Sequence, residues 1–241
     1  MRQLIARIRR NSLNVVLAVI FIISCFLMVK TSDDQLLSRL GSSKLEWAFV
    51  RFSTGNQIIF NISVGVIVSI FIYLLLVWLP ERRKRARVKK NLQHQYDLFK
   101  EDCITTFLGA LHQPYSSELI SELKDRHKFK SYFKEHPTQD QNRWDVVFNR
   151  LYDYMLKNLL VELEILRNEI IFTLSAIDID NEEVFAFLKR LSQVVYRIRN
   201  WSQQSEEHKE LFRFMWSIHT GWSVMEGYQD KDIIAETINA I

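Results

Sequence analysis

The sequence predicts an all-α protein in which an N-terminal two-helix transmembrane hairpin precedes a cytosolic antiparallel α-helical bundle. Residues 58–79 are apolar and carry no charged side chain, and a basic run follows them directly. Beyond that run, apolar residues recur at three- and four-residue spacings, which is the pattern of amphipathic helices. Only 6 glycines and 3 prolines occur among 241 residues, as is typical of helix-rich chains. We expect the hairpin in residues 1–90 and the bundle in residues 91–241.

The apolar run at residues 58–79 predicts the second membrane span. At about 1.5 Å per residue, a helix of this length crosses a hydrocarbon layer of roughly 30 Å. Lysines and arginines next to a span are retained on the cytoplasmic side, so they set the direction of insertion. The residues predicted to set it here are Arg82, Arg83, Lys84, Arg85, Arg87, Lys89 and Lys90.

A shorter apolar run at about residues 13–29 predicts the first span. Arg7, Arg9 and Arg10 precede it, so both termini are expected in the cytoplasm, with localisation in the inner (plasma) membrane. Two alternatives remain open. A basic segment followed by an apolar run is also typical of a cleavable signal sequence, and the residues before Cys25 resemble the lipobox of bacterial lipoproteins.

The charge is divided unevenly along the chain. The net charge is +4, yet residues 91–241 hold 17 basic and 24 acidic residues. The basic character therefore belongs to the membrane flanks, whereas the bundle is acidic. Because nucleic-acid-binding domains carry the opposite sign, we do not expect direct nucleic-acid binding. The expected partners are membrane lipids and a cytosolic protein.

Small and polar residues share one face in each predicted span. Gly and Ser four residues apart allow two helices to approach closely, and an asparagine in hydrocarbon requires a hydrogen-bond partner. The plainer interpretation is packing within the hairpin; the alternatives are a homo-oligomer or a polar pore-like seam. No ionisable residue lies in either span, which argues against a proton relay. The residues of this predicted helix–helix or pore face are Asn14, Ala18, Cys25, Asn61, Gly65 and Ser69.

Periodicity predicts the helices of the bundle. A stalk helix is expected from Val88 to Leu111, then a short helix capped by Ser116 or Ser117, and a loop over residues 128–141. A long helix is expected to start at Asp140 and to bury a stripe that runs from Trp144 to Ile170. The later helices are predicted with starts near Asp180, with Glu183 completing a capping box, and near Ser205, and the last one over residues 233–238.

The sequence contains no recognisable catalytic or metal-binding signature. Its histidines lack metal-ligand spacing, and phosphate-binding and nucleophile motifs are absent. Glu162, Glu164 and Glu169 are interpreted as a solvated face, and Cys103 as a buried hydrophobic residue. The tryptophans are interpreted as core and interface anchors. We therefore expect neither an enzyme nor a cofactor, although a bundle enzyme acting on a lipid is a third option.

Two segments resemble a known family. They are the exit sequence Trp78-Leu79-Pro80-Glu81-Arg82-Arg83-Lys84-Arg85 and the segment Leu163-Glu164-Ile165-Leu166-Arg167-Asn168-Glu169-Ile170. Together with two spans in the first third, they are similar to the two-helix effector membrane proteins of bacterial retron anti-phage systems. The resemblance implies an abortive-infection toxin of the inner membrane. It would be restrained by a reverse transcriptase with its RNA–DNA product, and released on infection to impair the membrane.

An interpretation from another class is a membrane-anchored adaptor or sensor. In that case the hairpin is only a tether, and the cytosolic bundle recruits a partner protein. The two interpretations differ in whether the membrane part is itself harmful to the cell.

Overall fold

The computed structural model describes residues 2–32, 52–137, 140–201, 208–223, 227–228 and 231–241. These residues are helical apart from turns and one two-residue antiparallel ladder, which pairs Trp222 with Tyr228 and Ser223 with Gly227. The predicted helical class is confirmed. The chain divides into two compact units, Met1–Lys84 and Arg85–Ile241, and each is described separately below.

The elements follow one another with short connections. In chain order they are α1 (Arg2–Thr31), α2 (Asn56–Tyr73), a π-helical turn (Leu74–Trp78), α3 (Leu79–Ala110), α4 (Ser117–Leu123), α5 (Arg126–Lys134), α6 (Arg143–Arg150), α7 (Asp153–Ala176), α8 (Glu182–Trp201), α9 (His208–Thr220), β1 (Trp222–Ser223), β2 (Gly227–Tyr228) and α10 (Ile233–Asn239).

The helix that contains the second predicted span is longer than the apolar run. It begins at Asn56, whose side-chain amide donates to the Phe52 carbonyl at 2.7 Å, and it continues without a break to Ala110. Pro80 lies inside it, although proline lacks an N–H and its ring presses on the carbonyl four residues earlier. The π-helical turn directly before Pro80, closed by the Leu79 N–H to the Leu74 carbonyl, widens the helix at this point.

The second unit is built around one core to which all its longer helices contribute. α3 buries one face along its length, α5 contributes two phenylalanines, and α7, α8, α9 and α10 close the core. The fully buried large side chains of this core are Leu92, Phe99, Ile104, Phe107, Leu108, Leu123, Phe129, Phe133, Leu159, Leu163, Leu166 and Ile170.

The predicted loop over residues 128–141 is wrong in its first half, because α5 occupies Arg126–Lys134. Asp125 caps this helix by accepting from the backbone N–H groups of His127 and Lys128, both at 3.0 Å. Those bonds favour the carboxylate, chiefly the one from Lys128, and they lower the pKa of Asp125. The helix forms despite its polar composition because Phe129 and Phe133, one turn apart, are fully buried.

The long helix predicted from Asp140 is two helices. Asn142, not Asp140, starts α6 through a capping box with Asp145, and the chain is extended at Leu151 and Tyr152 before α7 begins. The apolar stripe continues across this break, so periodicity alone did not reveal it. Similarly, Asn181 rather than Asp180 caps α8, accepting from the backbone of Glu183 at 3.0 Å.

Candidate functional site

The helices of the first unit expose their apolar side chains. Ile22 of α1 is 65% exposed, and Ile58, Ile62 and Phe71 of α2 are 66%, 61% and 59% exposed. Of the residues described, one helix, Asn56–Ala110, is long and apolar enough to cross a membrane, and residues 15–31 form a shorter apolar helix. A core helix of a soluble protein would bury such side chains; here another apolar medium or chain must cover them.

The contact between α1 and α2 is lined with small hydroxyl residues. Ser63 of α2 and Ser24 and Thr31 of α1 are buried, and the Thr31 hydroxyl donates to the Leu27 carbonyl at 2.7 Å. Small side chains allow the two helices to lie close together, and a hydroxyl bonded to its own helix leaves no polar atom unsatisfied. Sequence reasoning did not select these residues, because it followed the spacing around Asn61 instead.

The predicted face of α2 points away from this contact. Asn61, Gly65 and Ser69 are exposed, on the side of the helix opposite the buried Ser63 and Ile70. The Ser69 hydroxyl donates to the Gly65 carbonyl at 2.8 Å. A Cβ atom added to Gly65 would meet nothing within 4 Å. This face therefore has room for another helix, and its role in helix association stays a prediction.

The residues of α1 that were predicted for the helix–helix face differ in exposure. Ala18 is exposed and Cys25 is half-buried, so they do not share one environment. Asn14, like Arg7, Arg9 and Arg10, belongs to α1, but its side chain lies outside the described part of the structure.

The basic run after Trp78 is divided between two kinds of contact. Within the first unit, the Arg82 guanidinium lies over the Trp78 ring, 5.1 Å from its centroid. Within the second unit, Arg85 binds the Asp180 carboxylate at 2.9 Å, and Lys89 donates to the Asn239 carbonyl at 2.6 Å. The run thus anchors the start of the second unit. The exposed members without such a contact are Arg83, Lys84, Arg87 and Lys90.

A groove of about 590 Å³ lies between α6 and α9 on the second unit. Aromatic rings form its floor: the Trp144 and Trp216 ring centroids are 5.1 Å apart, and the Phe148 and Phe212 rings meet edge to face at 4.8 Å. The charged residues along its rim are Asp145, Lys209 and Arg213. An apolar floor with a few polar groups at the edge is the usual build of a ligand or peptide site.

Beneath this groove lies an aromatic cluster that connects it to the core. The Phe129 ring is 5.9 Å from the Trp216 ring and 4.8 Å from the ring of His219. The sequence identified the tryptophans as anchors but placed Phe129 in a loop. The spacing of Phe129 and Phe133 behind Asp125, a good helix cap, was the signal that could have placed them correctly.

His219 is a buried neutral base in this cluster. Its Nδ1–H donates to the Met215 carbonyl at 2.8 Å, and no described residue bonds to its Nε2. Burial lowers the pKa of His219 to about 4, and the nearby Lys100 acts in the same direction. The ring is therefore uncharged at neutral pH, and it packs as an aromatic side chain.

A polar network ties α3 to the start of α10. The Lys100 ammonium, on a nearly buried side chain, lies 3.2 Å from the Asp232 carboxylate and donates to the Lys124 carbonyl at 2.8 Å. The Tyr96 hydroxyl donates to the same carboxylate at 3.0 Å. Burial, and then the negative charge of Asp232, raise the pKa of Tyr96. Asp232 also caps α10 by accepting from the Ala235 N–H. The network therefore stabilises the packing of the start of α10 against α3.

The structure bears on two earlier expectations, one for the Cys103 thiol and one for metal binding. Cys103 is fully buried, and burial raises the pKa of its thiol, as befits a small hydrophobic residue. Across the described ranges, no group of three or more His, Cys, Asp or Glu side chains could hold a metal ion.

Comparison of the chain with protein-family models, with curated proteins and with solved structures gives no match.

Proposed function

We propose that this protein is a membrane-inserted effector of an anti-phage defence system of the retron type. In this proposal α1 and α2 are two spans that form a hairpin in the inner membrane, both termini are cytoplasmic, and the second unit is a cytosolic antiparallel bundle. The protein impairs the membrane when an inhibitory cytosolic partner releases it. No enzymatic step and no cofactor are assigned.

The outward face of α2 is the observation that carries the proposal. Asn61 has an exposed amide to which no described residue bonds, and Gly65 next to it has open space beside its Cα. An amide surrounded by hydrocarbon is stabilised by a hydrogen bond from another helix. Because α1 packs on the other side of α2, we propose that this helix comes from another copy. Association of several hairpins through this face would open or thin the bilayer.

The restraining partner is proposed on the resemblance and on the energetics of a switch. By resemblance it is a reverse transcriptase with its RNA–DNA product, contacting the acidic second unit through its protein part. A partner can hold a protein silent only if it binds the silent state more tightly than the active one. Infection would remove that partner and shift the population toward the associated hairpins.

Substitution on the outward face tests the proposal in cells. We expect Gly65→Leu to insert normally, because a Cβ there meets nothing within 4 Å, and to lose toxicity because the added side chain separates the helices. Phe71→Leu is the matched control, since Phe71 is also exposed on α2 but lies off this face. Growth and entry of a membrane-impermeant dye are measured after induction.

The effector proposal predicts growth arrest with dye entry for the unchanged chain and for Phe71→Leu, and at least tenfold more surviving cells for Gly65→Leu. Equal toxicity of Gly65→Leu and Phe71→Leu, at equal membrane levels, would contradict it.

A second candidate function is an adaptor, and the groove between α6 and α9 favours it. Its aromatic floor suits an aromatic or aliphatic anchor of a partner protein, and Lys209 at the rim favours an acidic residue beside that anchor, whereas Arg213 already pairs with Glu210 at 2.7 Å. Phe148→Glu in the full-length protein would then release the partner, whereas Gln193→Glu, an exposed change on α8 away from the groove, would not. Harmless expression of the unchanged chain together with this pattern would favour the adaptor.

A further inference from the structure

Helix α7 carries two apolar stripes, and only one of them faces the core. The inner stripe is buried and consists of Leu156, Leu159, Leu163, Leu166, Ile170 and Thr173. On the opposite side lies a second stripe, here named the outer seam, which consists of Tyr154, Asn158, Val161, Ile165, Asn168 and Phe172. An ordinary surface helix has one apolar stripe and a polar opposite face. The outer seam therefore requires an explanation of its own.

The outer seam has the spacing of a coiled coil. Its members follow one another at four, three, four, three and four residues, which is the alternation of the a and d positions of a heptad. Its apolar members are strongly exposed: Tyr154 is 59% exposed, Val161 52%, Ile165 40% and Phe172 51%. A stripe of this period, four residues of which are large and apolar, fits another helix lying alongside.

The neighbours of α7 leave the outer seam open. On one flank Asn91 of α3 donates to the Glu169 carboxylate at 2.7 Å, and on the other Arg199 of α8 binds Glu164 at 2.7 Å. These contacts come from opposite edges of the seam, so α3 and α8 lie on either side of α7 and do not cover it. They also engage the two carboxylates that would otherwise face a partner.

We propose that the outer seam pairs in parallel with the outer seam of a second copy of this chain. Parallel pairing in register places each seam residue against its own counterpart, so that Val161 and Ile165 form apolar layers. Asn158, at an a position, meets the partner's Asn158. A paired asparagine at an a position is known to fix register and to favour two strands.

The charges beside the seam select the parallel direction. In a parallel pair, a residue at a g position faces the e position five residues further along the partner. This places the exposed Lys157 against the partner's Glu162, twice in the dimer. Glu164, at the next g position, faces the partner's Glu169 in the same arrangement, but Arg199 already pairs with Glu164. An antiparallel pair would instead place Glu162 against the partner's Glu162. Like charges opposite each other would weaken that arrangement.

The surroundings of Glu162 favour a positive charge supplied by the second copy. Glu162 is half-buried, and within the described chain no basic side chain pairs with it. Burial, and then the negative charge of Asp102, raise the pKa of Glu162. The partner's Lys157 would provide the missing positive charge at this position.

Parallel pairing is also compatible with the path of the chain. The contact of Asn91 with Glu169, and the approach of Met155 to within 3.8 Å of a Cβ on Gly109, show that α7 runs antiparallel to α3. Two copies paired in parallel through α7 therefore have Arg85 at the same end.

Cysteine cross-linking in the full-length protein tests the pairing and its direction. The starting chain carries Cys25→Ser, to remove the half-buried native thiol, and Gly65→Leu, to remove association through α2; Cys103 stays because it is fully buried. Val161→Cys is oxidised in membranes, and Gln193→Cys, an exposed position on α8, is the matched control.

We expect Val161→Cys to form a covalent dimer and Gln193→Cys to remain at least tenfold less cross-linked. Parallel pairing puts position 161 against itself, whereas antiparallel pairing puts it against position 165. Absence of a dimer with Val161→Cys overturns the proposal, and so does a dimer that forms only when Val161→Cys and Ile165→Cys chains are mixed. Because Gly65→Leu is present throughout, the result is independent of the effector proposal.

Charge reversal gives a second measurement that does not rely on oxidation. Lys157→Glu is expected to weaken the dimer about tenfold in a detergent titration, since two attractive pairs become repulsive. The double variant Lys157→Glu with Glu162→Lys restores both pairs with their signs exchanged and should recover the affinity. Failure of the double variant to recover it, with both proteins folded, would contradict the parallel contact.

Discussion

The two compact units of this chain place apolar and polar residues in opposite ways. In the first unit, side chains such as Ile58 and Ile62 point outward and are more than half exposed, while Ser24 and Ser63 are buried between helices. In the second unit, Phe107 and Phe129 are fully buried, and exposed positions such as Lys157 and Arg213 are charged, although the outer seam of α7 is an exposed apolar stripe. Both units are helical, so secondary structure does not distinguish them.

Under the proposed function, this difference follows from the medium around each unit. Water drives large apolar side chains inward, and the aromatic cluster around Phe129 follows that rule. Between helices surrounded by lipid, apolar burial provides no comparable driving force, and close approach through small residues stabilises the contact instead. The buried serines of the first unit follow this second rule.

The largest effect on the free energy of unfolding is expected when a ring is removed from the aromatic core. Phe129→Ala removes a ring that contacts Phe107, Trp144, Trp216 and His219. A buried Phe→Ala change lowers the free energy of unfolding by about 4 kcal/mol. Phe71→Ala, in which the exposed ring of the first unit is removed, should change the unfolding of the second unit by less than about 1 kcal/mol.

Both variants are measured as full-length protein in detergent, with tryptophan fluorescence during denaturant unfolding. Trp144 and Trp216 lie beside Phe129 and report on its surroundings. Equal losses for the two variants would mean that the units do not differ as described.

The next largest effect concerns insertion. Ile62→Asp places a carboxylate in the apolar run, where an aspartate costs up to about 3 kcal/mol at the centre of a membrane span and less toward its ends. Val161→Asp, a position of similar exposure in the second unit, should not release the protein from membranes. The fraction that resists alkaline carbonate extraction is compared, and we expect a marked fall only for Ile62→Asp. An unchanged fraction would argue against lipid around α2.

A pH-dependent effect is expected in the second unit. Because the pKa of His219 is about 4 in the folded protein and near 6.5 when unfolded, between these values the unfolded chain binds a proton that the folded chain does not. Stability therefore falls as the pH drops through this window, by about 2 kcal/mol between pH 7 and pH 5.

Denaturant unfolding at both pH values, in the unchanged chain and in His219→Phe, measures this contribution. The variant keeps an aromatic ring beside Phe129 and should lose most of the pH dependence. His94→Phe, an exposed site, serves as the control and should retain it. If His219→Phe and the unchanged chain show the same slope, the histidine is not buried as described.

The smallest effect is expected at the surface of the second unit. Arg85→Ala removes an ion pair with Asp180 whose side chains are 29% and 45% exposed. Exposed pairs of this kind contribute about 0.2–1 kcal/mol to stability. Arg87→Ala changes an exposed neighbour and should lower the free energy of unfolding by less than Arg85→Ala does. A loss above about 2 kcal/mol for Arg85→Ala, measured by the same unfolding assay, would indicate a buried interaction.

Several features of the fold could be predicted from the sequence because they depend on local patterns. The apolar run at residues 58–79 and the stripe from Trp144 to Ile170 are visible without a structure, as is the last helix over residues 233–238. Each depends on side chains within a few turns of one another, so a short window of sequence contains the necessary information.

The features that were missed depend on contacts distant in sequence. The α5 phenylalanines are stabilised in part by Trp216 and His219, more than 80 residues later, so the polar sequence around them was interpreted as a loop. The outward direction of Asn61 depends on where α1 packs. The outer seam of α7 has the same spacing as the inner stripe, and only the fold decides which of the two is buried.

Collision accessibility of spin labels tests the opposite surroundings of the two units most directly. Nitroxides are attached to Ile62→Cys on α2 and Gln193→Cys on α8, in full-length protein returned to lipid vesicles, and their exposure to oxygen and to a water-soluble nickel chelate is compared. Oxygen concentrates in the hydrocarbon and the chelate stays in water. We predict a high oxygen-to-chelate ratio at position 62 and a low one at position 193. A label at position 62 that meets the chelate as often as the label at 193 would contradict the account.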